Sequence, residues 1–247
     1  MLKMERINIL LDYLYKHSYA PVKKIAKEIY MSETTVRRDL AYLETQNMVK
    51  RNYGGAILNA HYNKTLPFDI RLKENELNKQ QIAEKAVSLI KQGDTIFLDE
   101  SSTTCSLINY LRPEMELTIV TNSIRAINQL SEKNIRTYCT GGLLHPITMS
   151  FHGTYAEKTL ENINGNLFFF STSGMSSEGF ISDRVEDNAK IKLLMLRRAA
   201  KSAYLCDCTK FDSNFLASVC HISDVTYFIT DKRPSDKICQ MSKNLIV

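Results

Sequence analysis

No CxxC pair occurs among the six cysteines of this 247-residue chain, and its five histidines are scattered without ligand spacing. That excludes a zinc ribbon or a dithiol redox motif, so no metal and no cofactor is expected. Cys206 and Cys208 are separated by one residue in a strand-like stretch, which would put both on one face. Buried free thiols in a reduced cytosolic core are the simpler reading of all six. Long apolar runs are missing too, and none approaches the ~18 residues of a membrane helix. The start, Met1 to Arg6, leads into an amphipathic helix rather than a signal peptide. A cytoplasmic protein with no membrane partner is therefore expected. Internal repeats and low-complexity segments are also lacking.

Hydrophobic content of 44% and charged content of 24% are ordinary globular values. The length is generous for one domain and suits a small one plus a medium one. Charge is unevenly spread: residues 1–56 hold ten Lys/Arg and six Asp/Glu, so +4 of the total +5 lies in under a quarter of the chain. Such asymmetry points to nucleic acid.

Within that basic segment, Ser32 to Leu43 is the most informative stretch. Ser32 is a good N-cap, because its hydroxyl can accept from a first-turn amide. Glu33 suits the positive end of the helix dipole. Val36, Leu40 and Leu43 recur at i, i+4 and i+7 and predict one buried stripe. At about 100° per residue, Thr34, Arg38, Ala41 and Thr45 fall opposite, with Arg37 on the flank. A helix with small polar groups and an arginine on its outer face suits a major groove, where arginine can make a bidentate contact to guanine. The plain alternative is the solvated face of an ordinary amphipathic helix. The neighbours favour DNA. Val22, Ile25, Ala26 and Ile29 form a short stripe just upstream, which makes a helix-turn-helix. Ile7, Leu10, Leu11 and Leu14 supply a first helix, and Val49 to Ile57 reads as a basic hairpin with a glycine turn. Candidate DNA contacts are Ser32, Thr34, Thr35, Arg37, Arg38 and Thr45 from the helix, and Lys50, Arg51, Tyr53 and Gly54 from the wing.

The run Met31-Ser32-Glu33-Thr34-Thr35-Val36-Arg37-Arg38-Asp39-Leu40, followed by Arg51-Asn52-Tyr53-Gly54-Gly55-Ala56, resembles the DNA-binding signature of the DeoR family of bacterial transcriptional regulators. The resemblance implies a winged helix-turn-helix over 1–57, joined to a sugar-phosphate-sensing domain.

Residues 58–79 look like a linker in which Phe68, Ile70 and Leu72 alternate as a short strand would. From residue 80 the pattern alternates helix and apolar strand: strands at 95–98, 117–120, 135–139, 167–170, 203–206 and 225–229, and helices at 82–90, 107–111, 124–130, 155–160 and 188–202. A last helix is expected before residue 245. This predicts an α/β domain over 80–247, a parallel sheet covered on both faces. Ligands of such sheets bind beyond the carboxyl ends of the strands. Those ends carry Asp99 to Thr104, Thr121-Asn122-Ser123, Gly141-Gly142, Ser171 to Gly174, and Asp207 to Lys210. Hydroxyls and bare amides at helix starts suit a phosphate or a polyol, although Ser and Thr also simply cap helices.

The resemblance extends over this domain at Asp99, Ser102, Thr103, Thr104, Thr121, Asn122, Ser123, Gly141, Gly142, Gly174, Lys192, Asp207, Lys210 and Phe211. It implies a fold similar to ribose-5-phosphate isomerase, with effector-binding residues drawn from these positions. The acidic catalytic loop of those enzymes reads Ser-Thr-Ser-Gly here, without a carboxylate, and Ser173 and Lys190 depart from the commonest family pattern. The leading expectation is a repressor of a sugar-metabolism operon, binding double-stranded operator DNA as a homodimer or homotetramer and released by a phosphorylated sugar. The alternatives are an activator, or a sugar-phosphate isomerase-like enzyme with an accessory DNA-binding domain. Such an enzyme needs a general base, for which Asp183, Glu186 and Asp207 are the nearby acids.

Overall fold

A computed structural model describes residues 3–17, 19–45, 48–58 and 68–247. The chain divides into two units, Met1–Ile70 and Arg71–Val247.

In the first unit the apolar stripes become α1 (Lys3–His17), α2 (Val22–Glu28) and α3 (Glu33–Thr45), with β1 (Tyr19–Pro21) before α2 and the hairpin β2 (Val49–Asn52) and β3 (Gly55–Leu58) after α3. Leu10, Leu14, Ile25, Val36, Leu40 and Leu43 are buried together. Burying such a leucine contributes about 1.5–3 kcal/mol, which holds helices too short to persist alone. Strand order is β1-β3-β2, all antiparallel. The amide of Val22 donates to the Gly54 carbonyl at 2.7 Å and so ties the wing turn to the start of α2. Gly54 has φ +76°, a left-handed conformation that side chains resist.

The stretch at the boundary of the two units differs from its sequence pattern. Phe68, Ile70 and Leu72 lie in a helix, α4 (Phe68–Lys73), not in a strand, and α5 (Glu76–Val87) follows at once. Of the expected linker, 59–67 lies outside the described residues. The alternation misled because Phe68 and Leu72 are also i and i+4, and because Lys79 holds the helix end: its ammonium donates to the carbonyls of Arg71 and Glu74.

The sheet strands are β4 (Thr95–Leu98), β5 (Thr118–Thr121) and β6 (Arg136–Cys139), with α6 (Ser102–Leu107) and α7 (Ile124–Glu132) between them. Next come the hairpin β7 (Leu143–His145) and β8 (Ser150–His152), α8 (Thr154–Glu161), β9 (Gly165–Phe170), β10 (Gly174–Met175), β11 (Phe180–Asp183) and α9 (Glu186–Arg198). The chain finishes with β12 (Ala199–Leu205), β13 (Ala217–His221), β14 (Tyr227–Ile229), α10 (Asp236–Met241) and β15 (Leu245–Ile246). Seven strands form one parallel sheet in the order β15-β14-β12-β9-β4-β5-β6. The expected helix over 188–202 stops at Arg198. Residues 199–202 join the sheet instead, Ala199 opposite Gly165 and Lys201 opposite Leu167, so ladder pairing overrides a helix-compatible local sequence. Cys206 and Cys208 both lie beyond the end of β12, Cys208 in a 3-10 turn, so they share no strand face; Cys105 and Cys206 are buried, whereas Cys139 is exposed. The hairpin β7–β8 and the small sheet β10-β11-β13 have no counterpart in the expected pattern.

An aromatic row fills the space beside the sheet. Phe97 meets Phe168 edge-on at 6.4 Å, Phe168 stacks on Phe170 at 4.9 Å, and Tyr204 lies 5.2 Å from Phe170 and 5.7 Å from Phe228. The Tyr204 hydroxyl is satisfied by Thr172 at 2.9 Å. No helix among the described residues is long and apolar enough to cross a membrane.

The chain proceeds outward through β4, β5 and β6, then returns to place β9 on the other side of β4. This reversal puts the switch point of the sheet at the carboxyl ends of β4 and β9, where the crevice that takes the ligand lies in open α/β sheets.

Candidate functional site

Two surfaces carry the expected chemistry. On α3, Ser32 acts as its cap: its hydroxyl accepts from the Thr35 amide at 3.2 Å and lies 2.9 Å from the Thr35 hydroxyl. Thr45 donates to the Tyr42 carbonyl at 2.7 Å. Thr34, Arg37 and Arg38 are exposed. Arg37 is paired with Glu33 at 3.3 Å, while Arg38, its side chain 70% exposed, lies 3.9 Å from Asp39. Asp39 is buried and gripped by Arg6 through two bonds of 2.9 and 3.1 Å, which fixes α1 on α3. Arg6 escaped the sequence reading because its partner lies 33 residues away. In the wing, Lys50 and Tyr53 are exposed, and Arg51 is held by Glu44 at 2.7 Å.

Arg38 is therefore the less encumbered arginine, and its contact to a base edge is the expectation. Arg38→Ala should cost ~1–3 kcal/mol on the preferred sequence and relax preference there. Arg37→Ala should weaken all sequences evenly and flatten the salt slope by about one unit. Titrations of selected and scrambled DNA at several salt concentrations check both, and an unchanged selected-to-scrambled ratio for Arg38→Ala would show that the base reader is elsewhere.

The second surface lies at the crevice. Asp99 follows β4 and is wholly engaged: one oxygen accepts from the Ser101 amide at 3.0 Å and the Thr104 hydroxyl at 2.7 Å, the other from the Ser171 amide at 3.0 Å. Lys192, 1% exposed, reaches in from α9 to Glu100 at 2.5 Å, Asp183 at 3.0 Å and Asp99 at 3.5 Å. Burial lifts the Glu100 carboxyl above its ordinary range, with Asp99 and Asp183 adding to the effect and Lys192 opposing it. Burial would also raise Asp183, but Lys192 and the hydroxyl of Ser173 outweigh it and hold that carboxyl low. Burial disfavours the Lys192 ammonium, yet Asp183, Glu100 and Asp99 together hold it above the usual lysine range. Lys192 was expected to face a phosphate. Buried among three carboxylates, it instead fixes their positions.

Lys210 is different. Its ammonium donates to Ser171 at 2.8 Å and Thr103 at 3.3 Å, lies 3.5 Å from Asp207, and remains 20% exposed. Asp207 also accepts from the Thr209 amide and hydroxyl. Lys79, buried in α5, lies in the field of the same charges. Burial first, then repulsion from Lys210, lowers its ammonium to about 8, with Asp207 opposing. Sequence reasoning assigned Lys79 to a linker. Arg71, also assigned there, lies in the field of Glu100, Asp183 and Asp99, while burial lowers its guanidinium.

Several buried acceptors have no hydrogen-bond partner: Glu100 Oε2, Asn122 Oδ1, Asn188 Oδ1 and Asp207 Oδ2. His152 sits in a chain of contacts, Thr148 to Ser150 and Ser150 to His152, both at 2.7 Å. Burial holds both His145 and His152 below the ordinary histidine value.

The remaining expected residues make local contacts of their own. Ser101, not Ser102, caps α6, while Ser102 and Thr103 are buried in its first turn. The Thr104 hydroxyl is spent on Asp99. Thr121 accepts from the Ser123 amide, and Ser123 caps α7 through the Ala126 amide. Gly141 and Gly142 follow edge strand β6, two strands from β4. Gly142 is packed, because a side chain there would meet the His152 carbonyl at 2.5 Å. At Gly174 a side chain would strike Ser213 at 2.7 Å. Among the described residues no group of three or more His, Cys, Asp or Glu is placed to hold a metal ion.

Comparison with known proteins adds the following. Residues 6–61 match the DeoR-like helix-turn-helix domain and residues 74–232 the DeoR C terminal sensor domain. The chain is 32% identical to the L-fucose operon activator of Escherichia coli (strain K12), over 94% of this chain and 96% of that protein. It is 30% identical to the HTH-type transcriptional repressor GlcR of Bacillus subtilis (strain 168), over 98% of this chain and 93% of that protein. Among solved structures it is similar to ribose 5-phosphate isomerase A from Methanocaldococcus jannaschii, at 17% identity and a TM-score of 0.43, over 56% of this chain and 55% of that one.

Proposed function

This chain belongs to the DeoR family of DNA-binding transcriptional regulators, and from that premise we propose that it represses a sugar-metabolism operon and is released from its operator by a phosphorylated sugar. The observation that carries the reading is Lys210, a partly exposed ammonium bonded to the hydroxyls of Thr103 and Ser171 at the strand ends. Glu100 and Asn122, which follow β4 and β5, and Asn188, in the first turn of α9, keep buried acceptors without a hydrogen-bond partner. Cations with hydroxyls match a phosphate. Acceptors lacking donors match the hydroxyls of a sugar, because a buried acceptor left unmade costs about 1–3 kcal/mol. Asp99, Ser102, Thr103, Asn122, Asp207 and Lys210 are the contacts we assign to the effector. Thr104, Thr121, Ser123, Gly141, Gly142, Gly174 and Lys192 shape the site.

For release to follow, the ligand must bind the conformation with low DNA affinity more tightly than the other. The working unit we propose is a cytoplasmic homodimer or homotetramer on a two-fold or repeated operator. A thermal-shift screen of hexose and pentose phosphates, with free sugars and inorganic phosphate as controls, tests the reading. One phosphosugar should stabilise the protein far more than either control, and a flat screen would sink the proposal.

The Lys79 ammonium sets a pH dependence. A bound phosphate favours its charged form, so affinity should be steady below about pH 8 and fall by up to tenfold per pH unit above it, until the pKa of the complex is reached. Phosphate ionisation near pH 6 should weaken binding on the acid side. Calorimetric titrations across this range check the profile, and a flat alkaline limb would remove Lys79 from the site.

The likeness to the L-fucose operon activator favours a second reading, activation. A reporter placed behind the native promoter separates the two, since deletion of the regulator raises expression under repression and lowers it under activation.

A further inference from the structure

Glu100, which follows β4, is 1% exposed and only half engaged. Its Oε1 accepts from the Lys192 ammonium at 2.5 Å, while its Oε2 has no hydrogen-bond partner among the described residues. Lys192 also lies 3.0 Å from Asp183 and 3.5 Å from Asp99, so one ammonium is shared by three carboxylates. Two neutral acceptors adjoin this group. Strands β4 and β5 run parallel with Leu98 opposite Thr121, which sets Asn122 beside Asp99 at the strand ends. The Asn122 Nδ2 donates to the Phe151 carbonyl at 3.2 Å, and that bond fixes the amide so that its buried Oδ1 is the free atom. Asn188 lies one turn before Lys192 on α9, on the same face, and its buried Oδ1 is free as well. Buried acceptors are normally satisfied, so three without a donor call for one from outside the protein. Asp99 joins this group to Lys210: it accepts from the Ser171 amide at 3.0 Å, and the Ser171 hydroxyl accepts from Lys210 at 2.8 Å.

We propose that Glu100 determines which phosphosugar is accepted: with Asn122 and Asn188 it forms a subsite of acceptors that takes a ligand end bearing hydrogen-bond donors, a hydroxyl or an amino group, and rejects a phosphosugar acid. This rests on the crevice being the effector site, with the phosphate at Lys210. A hydroxyl or an ammonium donates to Glu100 Oε2 or to the asparagine oxygens and satisfies them. A ligand carboxylate has no proton to donate, and it brings a further negative charge to a place where Lys192 is already shared by three. Like charges brought together out of water oppose binding strongly, so the subsite discriminates by repulsion as well as by attraction.

The test is calorimetric titration of the full chain with three matched probes. They are the hexose or pentose phosphate that raises the wild-type melting point most, the same compound oxidised to a carboxylate at the carbon farthest from the phosphate, and inorganic phosphate. Wild type should bind the parent phosphosugar about a hundredfold or more tighter than the acid. Glu100→Gln keeps the shape of the side chain and removes its charge. It should lose about tenfold or more in affinity for the parent, narrow the preference over the acid to less than about tenfold, and bind inorganic phosphate as wild type does. Acid bound by wild type within about threefold of the parent overturns the subsite and leaves the effector reading intact. An unchanged preference in Glu100→Gln overturns the role of Glu100, and a wild type that binds no hexose or pentose phosphate overturns both readings. Should Glu100→Gln fail to fold, Asn188→Ala replaces it: affinity for the parent should fall about threefold to tenfold with inorganic phosphate unaffected, and undiminished affinity overturns the subsite.

Discussion

Lys192→Met is expected to destabilise the sensor unit by about 3–5 kcal/mol, the usual cost of removing one partner from a buried ion cluster. The side chain is 1% exposed and lies within 3.5 Å of Asp99, Glu100 and Asp183, so methionine fills its volume but leaves three buried carboxylates without the ammonium between them. The pH dependence gives this effect a signature. In wild type the raised Lys192 pKa stabilises the fold below the unfolded lysine value, and that contribution is lost as pH rises through the still higher folded value. The lowered Asp183 contributes above the unfolded aspartate value and loses its contribution as pH falls. Without Lys192 the carboxyls should titrate upward, and protonation should relieve their repulsion. The gap in melting temperature between wild type and variant should therefore narrow as pH is lowered from about 8 to about 5. Thermal melts across that interval measure it. A variant that melts alongside wild type at neutral pH would show that the cluster is hydrated and that Lys192 is dispensable to the fold.

Thr103→Ala combined with Lys210→Ala should give a folded protein that binds operator but no longer answers to the phosphosugar. Lys210 Nζ is bonded to both Ser171 and Thr103, so a phosphate that displaces these contacts would take a charge-assisted bond from the lysine and a neutral one from the threonine. Charge-assisted bonds contribute about 1.5–3 kcal/mol and neutral ones roughly 0.5–1.5 kcal/mol. Together they amount to roughly thirtyfold to two-thousandfold in affinity. Stability should change less, because Lys210 is partly exposed. Calorimetric titration of the double variant with the phosphosugar, beside operator binding without it, measures both. Undiminished affinity would place the phosphate elsewhere on the sheet edge.

Where elements are built from local pattern, the sequence reading and the structure agree closely. Val36, Leu40 and Leu43 are buried as their spacing requires, and Arg38 faces outward as the same spacing requires. The strand over 167–170 lies inside β9, because four apolar residues in a row have no other way to be buried on both faces of a parallel sheet. Agreement fails where a long-range partner decides. Residues 199–202 read as helix until β9 offers them a ladder, and Phe68 to Leu72 read as a strand until Lys79 stabilises the helix end.

The candidate site divides in the same way. Sequence alone determined that this chain carries a helix-turn-helix with a basic wing, an α/β unit, and hydroxyls at the strand ends, since each is a property of spacing within a dozen residues. It could not say which strand ends meet. The return of the chain past β4 brings Ser171 within 3.0 Å of Asp99, 72 residues earlier, while Gly141 and Gly142, nearer to Asp99 in sequence, finish beside the edge strand. Lys192 and Lys210, indistinguishable as lysines after a strand or within a helix, received opposite roles from their surroundings. Three buried carboxylates enclose the first, and two hydroxyls at a partly open crevice hold the second. Strand order, and with it the dielectric and the charge around each side chain, is set by pairing between segments far apart in the chain, and so it was decided only by the tertiary structure.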